Sequence, residues 1–388
     1  MRKVETRRPL RMAVVVLTTI KLVINAGWRF VYPFLPAIGR GLGVDLGQMG
    51  LLLSIRWGVG FAAPLGVAAV ERSRSSRRLI AVGLVAFGVG AIVTAASGVL
   101  IGAVVGFAFM GIGKPLLDVG AATYVSERVP YRNRARSLGV LELSWAGGFL
   151  IGAPLAGWLI ESWGWNVPFW VFGGIALLAL GLIVAILAPH DHSQTDGSNQ
   201  VDPSRATVGP FLFSVVIAGF TLELIFVVMG TWLEGSFGLS LFALAGVGAL
   251  LGVAELGGEG LMVAFTDRIG KRNSFAVGLA ATAVSLVALA FWSVNLVPAL
   301  AALFLAILAL ELAVISGLPM ASELRPARRA RFLAWTLVAA GVGRLAADLV
   351  GPVVFQRWDM TGVASLAAAS ALAGVGVLVF AVDDIAVK

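Results

Sequence analysis

Twelve ionisable side chains stand inside stretches that are otherwise apolar: Lys21, Arg29, Arg56, Lys114 and Arg344, with Asp118, Glu142, Glu223, Glu255, Glu259, Glu311 and Asp348. In a bilayer interior such groups cost about 2.5–3.5 kcal/mol each, so every one needs a reason to be there. Two pairs of opposite sign lie four residues apart, Lys114 with Asp118 and Arg344 with Asp348. That spacing puts both members on one helix face and predicts local ion pairs. Glu255 and Glu259 share the spacing but not the complementarity. Neighbouring carboxylates in a low dielectric do not both ionise unless a cation intervenes, so one of them is expected to hold a proton. Glu255 and Glu259, with Asp118, Glu142, Arg344 and Asp348, are therefore candidates for proton coupling; the alternative for each is neutralisation across the bundle or solvation near a helix end. Arg29 and Arg56 carry donor forks that suit a carboxylate or phosphate, so either an anionic substrate or internal pairing with Glu223 or Glu311 would satisfy them. Trp28, Tyr32, Trp57 and Trp145 offer aromatic surface to an amphipathic ligand, or to packing. With Lys114, Glu223 and Glu311 these residues make up the candidate substrate site.

The elements that must position these groups follow from the remaining composition. Of 388 residues 59% are hydrophobic, only 13% are charged, and glycine is abundant at 48. An ordinary cytosolic enzyme is excluded, and an integral membrane protein is expected. Apolar runs of about 20 residues, the length one crossing needs, begin near residues 12, 47, 79, 99, 138, 168, 207, 241, 274, 297, 333 and 363. The first follows a basic start but continues to about Pro36, so it reads as an uncleaved helix rather than a secretory signal. Lys and Arg orient the spans: 22 lie in one alternate set of segments and two, Arg40 and Arg357, in the other. Both termini and the polar stretch from Pro189 to Ala206 are thus expected on the cytoplasmic side of a plasma (inner) membrane. The net charge of +8 is an orientation signal, and no nucleic-acid partner is expected. Helices one to six hold four of the intramembrane bases and two of the acids, and helices seven to twelve hold one base and five acids. Halves charged in this way could make and break cross-half pairs as they rock.

Chemistry other than transport finds no support in the residues. There is no cysteine, the only histidines (His190 and His192) lie in the linker, and neither a nucleotide-binding motif nor a nucleophile with its base occurs. No enzyme activity, cofactor or metal is expected.

One self-similarity recurs at an offset of 195 residues. Arg134-Ala135-Arg136 matches Arg329-Ala330-Arg331, and Ala81-Val82-Gly83 matches Ala276-Val277-Gly278, at positions assigned to equivalent helices. Asp267-Arg268-Ile269-Gly270-Lys271-Arg272 is similar to the D-R-x-G-R-K loop of the major facilitator superfamily, while its first-half counterpart, Gly66 to Arg78, departs from that pattern. The stretch Gly148-x-x-x-Gly152-Ala153-Pro154-x-x-Gly157 resembles a motif of proton-driven antiporters, with one inserted residue. Small residues four apart also serve close helix packing. Tyr32-Pro33-Phe34-Leu35-Pro36 is similar to a segment of drug-efflux members, and Phe107 stands where those members carry an arginine. Over essentially its full length the chain resembles a transporter of this superfamily, of the drug:proton antiporter type. The resemblance implies an all-α membrane protein of twelve transmembrane helices in two parallel six-helix pseudo-repeats, residues 1–188 and 207–388 joined by linker 189–206. It further implies a monomer in the lipid bilayer that moves a small molecule by alternating access, with protons as coupling ion. Asp267, Arg268, Gly270, Lys271 and Arg272 would then form a cytoplasmic gate. Efflux of amphipathic or drug-like compounds is one expectation; uptake or exchange of an organic anion through Arg29, Arg56 and Lys114, or lipid flipping, are the others.

Overall fold

The computed structural model describes residues 7–70, 75–187, 207–324 and 329–382; the expected linker, 189–206, lies outside them. The described residues form helices α1 (Arg7–Arg29), α2 (Leu35–Leu42), α3 (Leu46–Val70), α4 (Ser76–Ser97), α5 (Leu100–Arg128), α6 (Tyr131–Leu150), α7 (Gly152–Trp163), α8 (Val167–Ile186), α9 (Val208–Phe237), α10 (Leu241–Ile269), α11 (Lys271–Trp292), α12 (Leu296–Leu324) and α13 (Arg329–Ala381). Among the described residues, ten stretches are long and apolar enough to cross a membrane. One of them, Phe332–Ala381, is 50 residues long and turns sharply at Asp359 (φ 51°, ψ −160°), so it supplies two crossings. Helix α3, whose only charge is Arg56, supplies the twelfth.

Two expected spans are interrupted. The first stops at Arg29, passes through a turn over 30–34 and resumes as α2 to Leu42, beyond the expected end at Pro36. The fifth breaks between α6 and α7 because Pro154 has no N–H to donate to the carbonyl of Leu150. An even number of crossings in each half puts Arg7 and Ala381 at one end of the bundle, here the termini end. The opposite, far end carries the short connections, tied by Asn166 Nδ2 donating to Ala95 O (3.2 Å) and Trp232 Nε1 donating to Ser293 O (3.2 Å).

The repeated tripeptides have one physical explanation. A Cβ on Gly83 of α4 would lie 2.7 Å from Gly113 O and Leu117 N of α5, and one on Gly278 of α11 would lie 2.7 Å from Ala313 N and 2.8 Å from Ala309 O of α12. Each half thus brings its third and fourth crossings together at an equivalent glycine, as small residues allow between membrane helices. The halves meet where α10 packs on α6 and α7, and where α3 packs on α13. The antiporter-like stretch lies on the first of these seams: Gly157 faces Ala245 and Phe34, Ala153 faces Gly248, and Gly148 and Gly152 face Asn25 and Ala26 of α1. Close packing accounts for all three of its glycines. Replacing Gly278 by Val should push α11 off α12 at a cost of about 1–3 kcal/mol, read as a lower melting temperature in detergent with Ala281→Val as an exposed control.

Candidate functional site

Three groups of buried charge lie near the middle of the bundle. The first spans the halves. Arg29, the last residue of α1, is fully buried, as is Glu255 of α10. The two form a bidentate pair, Nη1 to Oε2 at 2.5 Å and Nη2 to Oε1. Arg29 also donates to Trp145 O (2.9 Å) and lies over Phe149 (3.7 Å) and Trp145 (4.2 Å). A cation at a helix C-terminus meets the negative end of the peptide dipoles, which adds to the pairing. Glu255 thus has a cation of its own, the alternative that its spacing with Glu259 left open.

The second group centres on Glu223 of α9, also fully buried. Its Oε1 accepts from Tyr32 Oη (2.5 Å) and Trp57 Nε1 (3.3 Å), and its Oε2 accepts from Arg344 Nη1 (3.0 Å). Tyr32 Oη accepts in turn from Arg56 Nη2 (2.8 Å), whose Nη1 donates to Trp28 O (2.8 Å). The guanidinium of Arg56 lies 3.9 Å from the Trp28 ring centre. This corrects two expectations. Arg344 pairs with Glu223 rather than with Asp348 four residues on, and Arg56 reaches Glu223 only through the Tyr32 hydroxyl.

The third group stays in the first half. Lys114 and Asp118 form the expected i, i+4 pair (2.6 Å), and Lys21 of α1 bridges Asp118 (3.4 Å) to Glu142 of α6 (3.0 Å). Three acids are left over. Glu259, half-buried, and Glu311 and Asp348, buried, have no ion pair among the described residues.

Of the candidate substrate residues, Trp28, Arg29, Tyr32, Arg56 and Glu223 are sealed inside these networks. Trp57 and Trp145 are half-buried and meet cations from both halves. Lys114 Nζ lies 5.0 Å from the Trp145 ring centre, Arg344 Cζ lies 5.9 Å from it, and Arg344 Cζ is 4.8 Å from Trp57. Such distances are within reach of a cation–π attraction.

Sequence reasoning missed the far-end closure. Arg40 of α2 holds Glu234 of α9 in a two-pronged pair (2.8 and 2.9 Å). The two are 194 residues apart, almost one repeat length. A pseudo-two-fold axis brings equivalent positions of two halves together, so opposite charges at that separation were the available signal. Nearby, Gly230 of α9 lies under the carbonyls of Tyr32 and Pro33, where any Cβ would collide (2.7 and 2.6 Å). Cross-half contacts continue inward to Arg29–Glu255 and to Phe61 over Gly341. Beyond them, Glu142 and Leu143 of α6, and residues 263–269 of α10 except Thr266, are exposed.

The contacts of the predicted gate residues, among the described residues, lie within one half. Gly270 (φ 85°) makes the junction of α10 and α11. Lys271 pairs with Glu323 of α12, and Arg272 donates to the Leu378 (2.9 Å) and Val379 (2.6 Å) carbonyls in the last turn of α13, which have no helical donors of their own. Asp267 and Arg268 are exposed.

Against known proteins, the model of the Major Facilitator Superfamily matches residues 17–258, more than half of the chain. The chain belongs to the Major Facilitator Superfamily. Among superfamily relatives, the cis,cis-muconate transport protein of Acinetobacter baylyi (strain ATCC 33305 / BD413 / ADP1) is 25% identical over 206 residues, 48% of this chain and 49% of that one. The uncharacterized MFS-type transporter YwfA of Bacillus subtilis (strain 168) is 24% identical over 368 residues, 90% of this chain and 87% of that one. Quinolone resistance protein NorA of Staphylococcus aureus (strain MRSA252) is 23% identical over 208 residues, 50% and 52% of the two chains. The chain thus spans about half the length of the muconate and quinolone-resistance relatives and most of YwfA. The solved structure of a D-xylose-proton symporter superposes with a TM-score of 0.78 at 15% identity, over 97% of this chain and 98% of that one. The superfamily fold, with its two six-helix pseudo-repeats, is therefore shared, in a multi-pass membrane protein of a transporter family.

Breaking the central pair should be costly. Arg29→Met leaves Glu255 buried without its cation and should destabilise the fold by about 3–5 kcal/mol, whereas the double variant Arg29→Met/Glu255→Met should recover most of that loss. Thermal unfolding of the single and double variants in detergent checks both values.

Proposed function

We propose that this transporter moves a small planar organic anion by alternating access, driven by protons, through the interface between its halves. One observation carries the reading. The Trp145 ring is flanked by Lys114 from the first half and Arg344 from the second, at 5.0 and 5.9 Å. An anion stacked on that indole can be shared by two cations that belong to bodies moving relative to each other. Its binding energy then differs between the open and closed arrangements, which any ligand must achieve to shift a conformational equilibrium. Both cations already hold acids, Lys114 with Asp118 and Arg344 with Glu223. A substrate carboxylate would compete for them, and that competition links its arrival to rearrangement of the networks. The exposed stretches of α6 and α10 and the sealed far end fit a carrier open towards its termini, the cytoplasmic side of the inner membrane on the distribution of basic residues. Similarity to a muconate transporter agrees with an anionic substrate. Proton coupling is supported by the three acids without cations, Glu259, Glu311 and Asp348, because unpaired acids in low dielectric are accommodated by proton uptake.

A second reading, efflux of amphipathic drug-like compounds, is favoured by the similarity to NorA and by the tryptophan wall. Proteoliposomes with an imposed pH gradient separate the two. The first reading expects saturable accumulation of planar carboxylates, tested from cis,cis-muconate outward, that rises as the pH of the side supplying the substrate falls. Trp145→Ala should lower it at least about tenfold, the equivalent of about 1.4 kcal/mol of lost cation–π and stacking attraction, with Trp145→Phe intermediate. Movement of ethidium and no movement of carboxylates would support efflux instead, and substrate flux without any pH dependence would remove proton coupling.

A further inference from the structure

Asp348 occupies an unusual position among the buried acids. It lies on α13, is fully buried, and neither of its oxygens receives a hydrogen bond from any described donor. Of the other acids, Glu255 has the fork of Arg29, Glu223 has three donors and the half-buried Asp118 has two lysines, while Glu311 is buried without an ion pair; among the described residues Asp348 is the acid with both oxygens fully enclosed and no hydrogen-bond partner. The charged and titratable groups that face Asp348 are Glu223 from α9, Arg56 from α3, Arg344 from its own helix, and Tyr32 from the turn after α1. Both cations are engaged elsewhere, Arg344 with Glu223 and Arg56 with the Trp28 carbonyl and the Tyr32 hydroxyl. Glu223, on the neighbouring helix α9, faces Asp348 with a like charge. Two neighbouring carboxyl groups in a low dielectric do not both ionise unless a cation serves each. Glu223 accepts two N–H donors and one O–H donor on its two oxygens, as a carboxylate does, which leaves the proton to Asp348.

The surroundings make that proton conditional on the arrangement of the halves. Gly50 of α3 has its backbone against the Asp348 carbonyl and Pro352, so close that no Cβ would fit, and Ser54 Oγ reaches the Leu345 carbonyl (3.3 Å) one turn away. This α3–α13 contact is a cross-half seam. Parting the halves at the far end would open it, admit water to Asp348 and carry Arg56 away with α3, while Arg344 stays with Asp348 on α13. An ionised Asp348 would then have water and Arg344 to stabilise it.

We infer that Asp348 is the carboxyl that carries the coupling proton, held as a neutral acid against Glu223 while the far end is closed and exchanged with the far side when the α3–α13 seam opens. The inference rests on the proton-coupled carrier reading, and two experiments on the full chain in proteoliposomes keep their failures apart. The infrared difference spectrum of wild type minus Asp348→Asn at neutral pH should contain the carbonyl stretch of a protonated carboxylic acid. The symmetric and antisymmetric bands of an ionised carboxylate in its place would overturn the assignment. Asn mimics the neutral acid in size and charge, so Asp348→Asn should melt with wild type, and a large loss of melting temperature would likewise argue for an ionised Asp348. In transport, with cis,cis-muconate or whichever planar carboxylate of the panel the wild type accumulates, Asp348→Asn should lose accumulation driven by the pH gradient and keep counterflow exchange. Glu161→Gln, at an exposed residue of α7, should retain the driven component. Driven accumulation that survives in Asp348→Asn overturns the inference and leaves the carrier reading intact. A wild type that shows the neutral-acid band yet moves none of the probes with protons overturns the carrier reading and leaves the protonated Asp348 standing.

Discussion

An ion pair sealed from water, Arg29 with Glu255, sets the arrangement of the two halves. Removing two charges from water carries a penalty that only good geometry and further hydrogen bonds offset. Here the offset comes from several directions at once: a two-pronged contact, the Trp145 carbonyl, the faces of Trp145 and Phe149, and the C-terminal dipole of α1. The two-pronged contact is lost if α10 moves away from α1 and α6, while the other partners stay with Arg29 in the first half. Glycines and alanines along α6, α7 and α10 let the backbones approach closely enough for the pair to form. The turn over 30–34 ends α1 at Arg29 and directs Tyr32 towards Glu223. The central packing of the bundle is thus organised by electrostatics, in a setting where lipid tails give helices little hydrophobic reason to associate.

The remaining charges are distributed by the same rule, with a remainder. Bases concentrated in the first half find acids concentrated in the second at Arg29–Glu255 and Arg40–Glu234, and Tyr32 with Trp57 carries the contact at Glu223. Lys21 and Lys114 are absorbed locally by Asp118 and Glu142. The acids that exceed this supply of cations are left in the middle of the bundle, where water is scarce. A chain needing only to fold would gain from apolar residues there. The surplus supports the proposed proton coupling, and the half-buried Trp57 and Trp145 beside Lys114 and Arg344 support the proposed ligand site.

Much of this was legible beforehand because it depends on local or periodic properties. Apolar run length gave the crossings, the basic residues gave an expected orientation, and the match of Gly83 with Gly278 anticipated equivalent contacts that both glycines make. Lys114–Asp118 was readable because both partners sit on one turn of one helix. The same rule failed for Arg344 and Asp348, since a long guanidinium four residues away can equally reach a neighbouring helix, and Glu223 offered a better-supported acceptor. The antiporter-like stretch on α6 and α7 also reads differently in three dimensions, where each of its glycines faces a neighbouring backbone or side chain.

The sequence by itself determined that the chain is a bundle of membrane helices, how many charges that bundle must accommodate, and that they divide unequally between two related halves. Those are consequences of composition and spacing, which hold whatever the helices pack against. Only the tertiary structure decided that Lys21 meets Glu142, Arg29 meets Glu255 and Arg344 meets Glu223, because partners separated by 121 to 226 residues meet through helix packing that no local pattern encodes. It likewise decided which acid has both oxygens enclosed without a donor among the described residues. That is a property of everything surrounding Asp348, and nothing in the residues beside it in the chain distinguishes it from Asp118.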